Sequence, residues 1–379
     1  MIRSAVHRIA ALALANPAVY AADCGTLKPL ADALVEPRST LTAAMANSEL
    51  DTDLAPATSD AIVSLKRQLI ALVDAAAACT APAATNAKAL ESALTAAVGK
   101  NDDATIGFGV TPFDGKRLGV VAEVGIPCGR DALWLVYEAD GERWRRALTA
   151  VSPRYARVDG AWGSFQAAVS PRGADGRWFA AIAHIRPWCT STWSTIDYAA
   201  LRPGPNADVP LVVLKGSESL WWGNDDLGRL TVDADHVELR YRGASIDTGV
   251  HNREYVRRYA IDGMSAKRVA PFAASPRDFV EEWIITPWSQ ASAWSTDAKT
   301  LEAAHAKLQA ARKAYEPVEF GATTTCAHDT DATQIELKRD DGAASTFFRV
   351  TGKSDYAMAA ISDAGDPDCV TAAPEAATP

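Results

Sequence analysis

Hydrophobic residues change their spacing near Thr105, and that change constrains the fold more than any other feature of the chain. Before it, Ile62, Leu65, Leu69, Leu72 and Ala76 recur every three or four residues, as do Leu90, Leu94 and Val98. After it, Val237, Leu239 and Tyr241 alternate with Glu238, Arg240 and Arg242. The first period lines one face of a helix. The second lines one face of an antiparallel strand, with the other face in water. A mainly β chain with a helical N-terminal module follows. In that module, residues 22–102, an Ala-rich set of helices is expected. Leu27 to Ala46 forms a Pro-interrupted first stretch, Ser59 caps a second helix, Thr85 opens a third and Gly99 stops it.

Residues 105–272 read as a tryptophan-rich β domain of about twelve strands, divided by turn signals as an all-β sequence is. Asp-Gly pairs start at Asp114, Asp140, Asp159, Asp175 and Asp262, and Asp-Gly supplies the positive φ angles of a tight hairpin turn. A weak internal repeat relates Val120–Tyr137 to Phe179–Tyr198. Each copy has a small-apolar strand, a Pro just before a Cys, a Trp soon after and a Tyr nine residues past the Cys. The repeat divides the domain into four-stranded antiparallel meanders over roughly 105–153, 161–219 and 227–272. Such blade-like units are propeller-like; an irregular β-sandwich is the alternative. A helical interlude is expected over 273–316, with Ser275-Pro276 as N-cap and first helical residue and a second helix over Lys299–Tyr315. A C-terminal β module then spans 317–369, and 370–379 reads as a disordered tail of Ala, Pro and Thr.

The N-terminus reads as a signal peptide, residues 1–21. Arg3 and Arg8 precede a short apolar run, Ile9 to Ala15, and Val19 and Ala21 place small residues before a cut. A lipid anchor is disfavoured, because Asp23 directly precedes Cys24. The six cysteines, Cys24, Cys79, Cys128, Cys189, Cys326 and Cys369, are even in number and form no C-x-x-C pair. They read as disulfides, expected as Cys24–Cys79, Cys128–Cys189 and Cys326–Cys369, one staple per module. A periplasmic or secreted location follows. The net charge of −9 argues against nucleic acid or an anionic membrane as partner, since both reward a basic face. No apolar run is long enough to span a bilayer.

Strong local chemistry is missing. There is no phosphate loop, no G-x-S-x-G elbow and no H-E-x-x-H helix, and Gly107-Phe108-Gly109 lacks the rest of a dinucleotide fingerprint. Neither a cofactor nor a metal is implied. Asp233, Asp235 and His236 read as a solvated turn, and Asn224-Asp225-Asp226 lacks calcium-loop spacing. His184 and His251 are the candidate general bases, with Asp247 near His251 as an orienting carboxylate; the simpler reading is structural histidines. Glu281 and Glu282 point about 100° apart on one helix, so their spacing does not make an acid/base pair.

All 11 tryptophans fall between residues 134 and 294. Trp134, Trp144, Trp162 and Trp178 are expected in the core. Trp188, Trp193, Trp221 and Trp222 sit at loops or strand ends and, with Arg186, are the candidate ligand contacts, because exposed aromatics stack on sugars or anchor proteins. The first functional expectation is an exported binding or interaction protein. Its partner would be an envelope or extracellular ligand, a glycan or a protein, met through these loops. The alternatives are an exported glycan or ester hydrolase and a structural envelope protein.

Overall fold

A computed structural model describes residues 27–47, 53–99, 105–187, 191–221, 228–314, 317–339 and 344–371. The expected signal peptide, Cys24, Trp188, Cys189, Trp222 and the 224–226 run lie outside the described residues. The chain forms two compact units, and compactness follows a different cut from secondary structure. Of the described residues, the first unit holds 27–163, Pro187 and Pro203–Pro210, and the second holds the rest.

In the first unit the helices are α1 (Leu27–Asp32), α2 (Val35–Asn47), α3 (Pro56–Ala78) and α4 (Ala87–Val98). Two expected caps move. Ala55 is the N-cap of α3 and Pro56 opens it. Ser59 lies one turn inside and donates its hydroxyl hydrogen to the Tyr155 carbonyl at 2.7 Å, because a proline at the first helical position needs no N–H partner. Asn86, not Thr85, caps α4 by accepting from the Ala89 N–H at 3.1 Å. The Thr85 hydroxyl instead accepts from the Trp144 indole at 2.8 Å. Gly99 ends α4 with φ of 69°, a conformation that costs glycine nothing.

These helices cover one face of a meander, β1 (Ile106–Phe113), β2 (Arg117–Ile126), β3 (Gly129–Asp140) and β4 (Arg143–Val151). Leu118, Val120, Ala122 and Val124 alternate along β2 and meet Leu65, Leu69 and Leu72 of α3 in one core. The helix stripe and the strand alternation are thus two halves of a single burial, and burial of apolar area is the main term holding them together.

The second unit begins with two further meanders. The first is β5 (Phe165–Val169), β6 (Ala180–Ile185), β7 (Trp193–Arg202) and β8 (Leu211–Trp221). The second is β9 (Arg229–Val232), β10 (His236–Ala244), β11 (Asn252–Asp262) and β12 (Ser265–Arg268). The sequence repeat lands on β2–β3 and β6–β7, the middle hairpin of two successive sheets. These two sheets of the second unit pack face to face through Ile185, Ile196, Tyr198 and Leu220 against Leu239, Tyr241 and Tyr255. Meanders of four consecutive antiparallel strands are compatible with propeller-like blades. Four of the five Asp-Gly pairs turn hairpins or sit in turns with a positive-φ glycine; Asp159-Gly160 closes a 3₁₀ turn instead.

A helical cap and a fourth sheet complete the unit. The helices are α5 (Pro276–Ile285), α6 (Trp288–Ala291) and α7 (Ala298–Lys313). The strands are β13 (Val318–Cys326), β14 (Ala332–Arg339), β15 (Thr346–Thr351), β16 (Ala357–Ser362) and β17 (Cys369–Thr371), in the order β16-β15-β14-β13-β17. Ser275 caps α5 as expected, accepting from the Asp278 N–H. Phe279 and Trp283 of α5 pack on Ile335, Leu337 and Phe348 of the sheet. Cys326 and Cys369 pair as expected and tie β17 to β13. β17 runs to Thr371, two residues into the segment expected to be a tail, because its backbone completes the antiparallel ladder with β13. Cys79 and Cys128 are also disulfide-bonded, and their expected partners Cys24 and Cys189 lie outside the described residues.

Candidate functional site

The residues nominated from sequence sort into separate places. His184 on β6 stands opposite Asp197 on β7. Asp197 receives two hydrogen bonds from the Arg186 guanidinium, at 2.6 and 3.1 Å. Burial favours the neutral acid, but bonds from Arg186 and Ser217 and the nearby His184 outweigh it, so the carboxyl stays below the usual carboxylate range. Arg186 is therefore committed to an ion pair, and His184 is buried within the sheet.

A second cluster is aromatic. Trp193 opens β7 and Trp221 ends β8, and the two are directly paired in register. Their rings meet edge-on with centroids 5.0 Å apart. The His251 ring lies 4.4 Å from Trp221 and 5.7 Å from Trp193. Both tryptophans are partly buried, so much of each indole is already engaged with its neighbours. Sugar stacking needs an open ring face, and this arrangement offers less of one than loop tryptophans on bare strand ends would. Trp188 and Trp222 lie outside the described residues.

Asp247 goes elsewhere. It is buried, accepts from the Gly249 N–H at 2.8 Å and pairs with the Arg277 guanidinium. Among the described residues no hydrogen bond joins it to His251. It anchors the turn between β10 and β11 to α5. The Asp233, Asp235 and His236 group forms a turn, with the Asp233 N–H donating to the His236 carbonyl and Asp235 beside the His236 ring at 2.6 Å. Among the described residues, no group of three or more His, Cys, Asp or Glu could hold a metal ion.

Two buried charge clusters carry no sequence motif. In the first unit, Lys66 of α3 lies 2.9 Å from Asp131 of β3 and 2.7 Å from the Ser152 hydroxyl. Tyr155 and the Trp162 N–H also donate to Asp131. A Lys beside a Ser is a known nucleophile arrangement. Here Lys66, Ser152 and Asp131 are all buried, and the Lys66 amine is held in an ion pair with Asp131 at 2.9 Å. The cluster pins helix to sheet. In the second unit, Glu282 of α5 meets Arg253, Arg257 and Arg268 at 2.9, 2.7 and 2.8 Å. Glu281 pairs with Arg253 at 2.8 Å, and Glu218 with Arg257 at 2.7 Å. Three guanidiniums face three carboxylates, so the network is charge-balanced and joins α5 to two sheets of this unit.

A concave feature lies at one end of the fourth sheet, within the second unit. The start of β13, the end of β14, the start of β15 and the end of β16 converge there, contributing Val318, Leu337, Thr346 and Ile361. The C-terminal half of α7 forms the facing wall through Ala304, Leu308 and Ala311, a stripe at helical spacing. Ile284 at the end of α5 and Ile246 close the sides. The cavity between them is about 620 Å³, within the range of small-molecule sites. Another face of α7 is tied to the end of α5. His305 lies 3.0 Å from the carbonyls of both Trp283 and Thr286, and Gln309 donates to the carbonyls of Ile284 and Thr286 at 3.0 Å. Burial pushes the His305 pKa below its usual value, against the pull of those carbonyls, which favours the neutral ring. Lys307, Arg312, Lys313 and Asp363 stand at the rim, all exposed.

No protein-family model matches the chain, and no curated protein resembles it closely enough to count as a match. The site must therefore be read from its own residues. Sequence spacing places Leu308 on an apolar helical stripe, but nothing in the spacing marks the void beside it. The buried charge clusters were equally silent, since Lys66 and Glu282 sit in ordinary amphipathic helices.

Proposed function

We propose that the protein is a binding protein for an apolar small molecule and that the groove between α7 and the fourth sheet is its site. The observation that supports this reading is the cavity of about 620 Å³ walled by Ile246, Ile284, Leu308, Val318, Leu337 and Ile361. Of these, Ile246, Leu308, Val318 and Ile361 stay partly exposed, and aliphatic surface left open to water is unfavourable unless something covers it. A ligand that fills the groove extends the core already built by Phe279, Trp283 and Phe348. The test is titration with a neutral solvatochromic dye such as Nile red. Saturable blue-shifted fluorescence is expected, together with a rise in melting temperature. Ala311→Trp, which fills the groove, should abolish both while leaving the far-UV circular dichroism unchanged. Dye binding that survives this substitution would remove the groove from consideration.

The protein is proposed to act outside the cytoplasm, in the periplasm or after secretion. The Cys326–Cys369 disulfide and the oxidised Cys79 and Cys128 support this, because disulfides persist in oxidising compartments. Among the described residues no helix is long and apolar enough to cross a membrane. A second reading, docking of a glycan or protein partner through the Trp-bearing loops, draws support from the convergence of Trp193, Trp221 and His251.

A further inference from the structure

The groove is apolar inside and basic at its mouth, and this polarity narrows what it can hold. Lys307, Arg312 and Lys313 all line it, against the single rim carboxylate of Asp363. The chain as a whole carries a net charge of −9, so a local excess of two positive charges runs against the background. Basic residues in the last turn of a helix offset its dipole, and that alone would account for Arg312 and Lys313. It does not account for Lys307, more than a turn earlier on the same helix and also facing the groove.

We propose that the ligand is a single-chain alkyl carboxylate, bound with its chain along the Ala304, Leu308 and Ala311 wall and its carboxylate at the mouth among Lys307, Arg312 and Lys313. The assignment rests on the groove being the binding site. Three features select this class. The wall from Ala304 to Ala311 runs about 10 Å at the helical rise of ~1.5 Å per residue, which suits an extended chain rather than a compact ring system. The cavity volume fits one drug-sized ligand, not a lipid with two long chains. The helix presents its C-terminal end to the mouth, where carbonyl oxygens face outward. Phosphate sites are built on helix N-termini and their free N–H groups. Those carbonyls and Asp363 oppose any anion here, but a dianionic phosphate about twice as strongly as a monoanionic carboxylate, so the three cations offset the smaller charge more readily.

The test compares ligands of one chain length on the full chain by isothermal titration calorimetry, below their micellar concentrations. Decanoate should bind at least tenfold tighter than decanol, and decyl phosphate and decylamine more weakly than decanoate. The decanoate advantage should shrink as salt is raised. In the triple variant Lys307→Gln, Arg312→Gln, Lys313→Gln the advantage should vanish while decanol affinity stays the same. These three residues are exposed, so the variant keeps its fold. Equal affinity for decanoate and decanol, with both lost in Ala311→Trp, would overturn the carboxylate and leave the groove standing. Tighter binding of decyl phosphate would replace the carboxylate by a phosphate ester. Binding of none of the four would overturn the groove and the carboxylate together.

Discussion

Glu282→Gln removes one charge from a buried ion network of the second unit. The Glu282 side chain is 1% exposed and sits within 2.9 Å of three guanidiniums, those of Arg253, Arg257 and Arg268. Burial alone would raise its pKa, but the charges of Arg257, Arg268 and Arg253 prevail and hold it at about 2. An unfolded glutamate titrates near ~4.3, and each unit of difference is worth about 1.4 kcal/mol, so the charged form contributes about 3 kcal/mol to folding at neutral pH. The folded pKa lies below the unfolded one. The contribution is therefore complete above the unfolded value and is lost as pH falls from about 4 towards 2. An independent route gives a similar figure. Removing one partner from a buried pair costs about 3–5 kcal/mol, because the remaining charges stay buried without compensation. For a unit of this size the loss corresponds to a fall in melting temperature of roughly 6–20 °C. Differential scanning calorimetry at pH 7 and at pH 2.5 measures it, with exposed Glu302→Gln as the control. The variant should melt well below the parent at pH 7, and the deficit should shrink to about a quarter at pH 2.5, because a group with a folded pKa of about 2 still keeps part of its charge there. A deficit under 2 °C at pH 7, or one just as large at pH 2.5, would refute the charge argument.

Four further outcomes are expected. Lys66→Met should destabilise the first unit by about 3–5 kcal/mol in urea unfolding, because it leaves Asp131 buried without its ammonium partner. Replacing Cys326 and Cys369 by alanine opens a link across a sequence separation of 43; chain entropy puts the cost at about 4 kcal/mol, and hydrogen exchange should speed first at the β13 amides that face β17. Gly216→Ala should cost about 1–3 kcal/mol by overpacking, since a Cβ there would lie 2.1 Å from the Tyr198 ring; Tyr198→Leu in the same chain should recover most of it. Ser275→Ala should cost about 1 kcal/mol by uncapping α5, read as a small fall in melting temperature with no change in dye binding.

Much of the fold was legible in local sequence. The period-two pattern and the Asp-Gly turns placed twelve strands in three consecutive meanders, and Ser275-Pro276 marked the start of α5 to the residue. The misplaced caps show the limit of such rules. Ser59 has the right chemistry for a cap, yet Pro56 opens the helix three residues earlier and the Ser59 hydroxyl turns to a carbonyl 96 residues away. Thr85 likewise yields the cap to Asn86 and serves Trp144.

The candidate site was far less legible. Arg186, nominated as a ligand contact, is tied to Asp197, and Asp247, nominated as an orienting carboxylate, is tied to Arg277. Trp193, Trp221 and His251, drawn from three separate segments, share one aromatic cluster. By itself, the sequence determined which stretches are helix or strand, where hairpins turn and that cysteines should pair. The elements and turns depend on backbone φ preferences and on side chains within a few residues of one another, and the expectation of disulfides on the even number of cysteines. Only the tertiary structure decided that Glu282 and Lys66 are buried and that a void opens beside Leu308. Burial of a charge and the presence of a cavity depend on what packs from distant segments, here β11 against α5 and four strand ends against α7, and no local spacing records that.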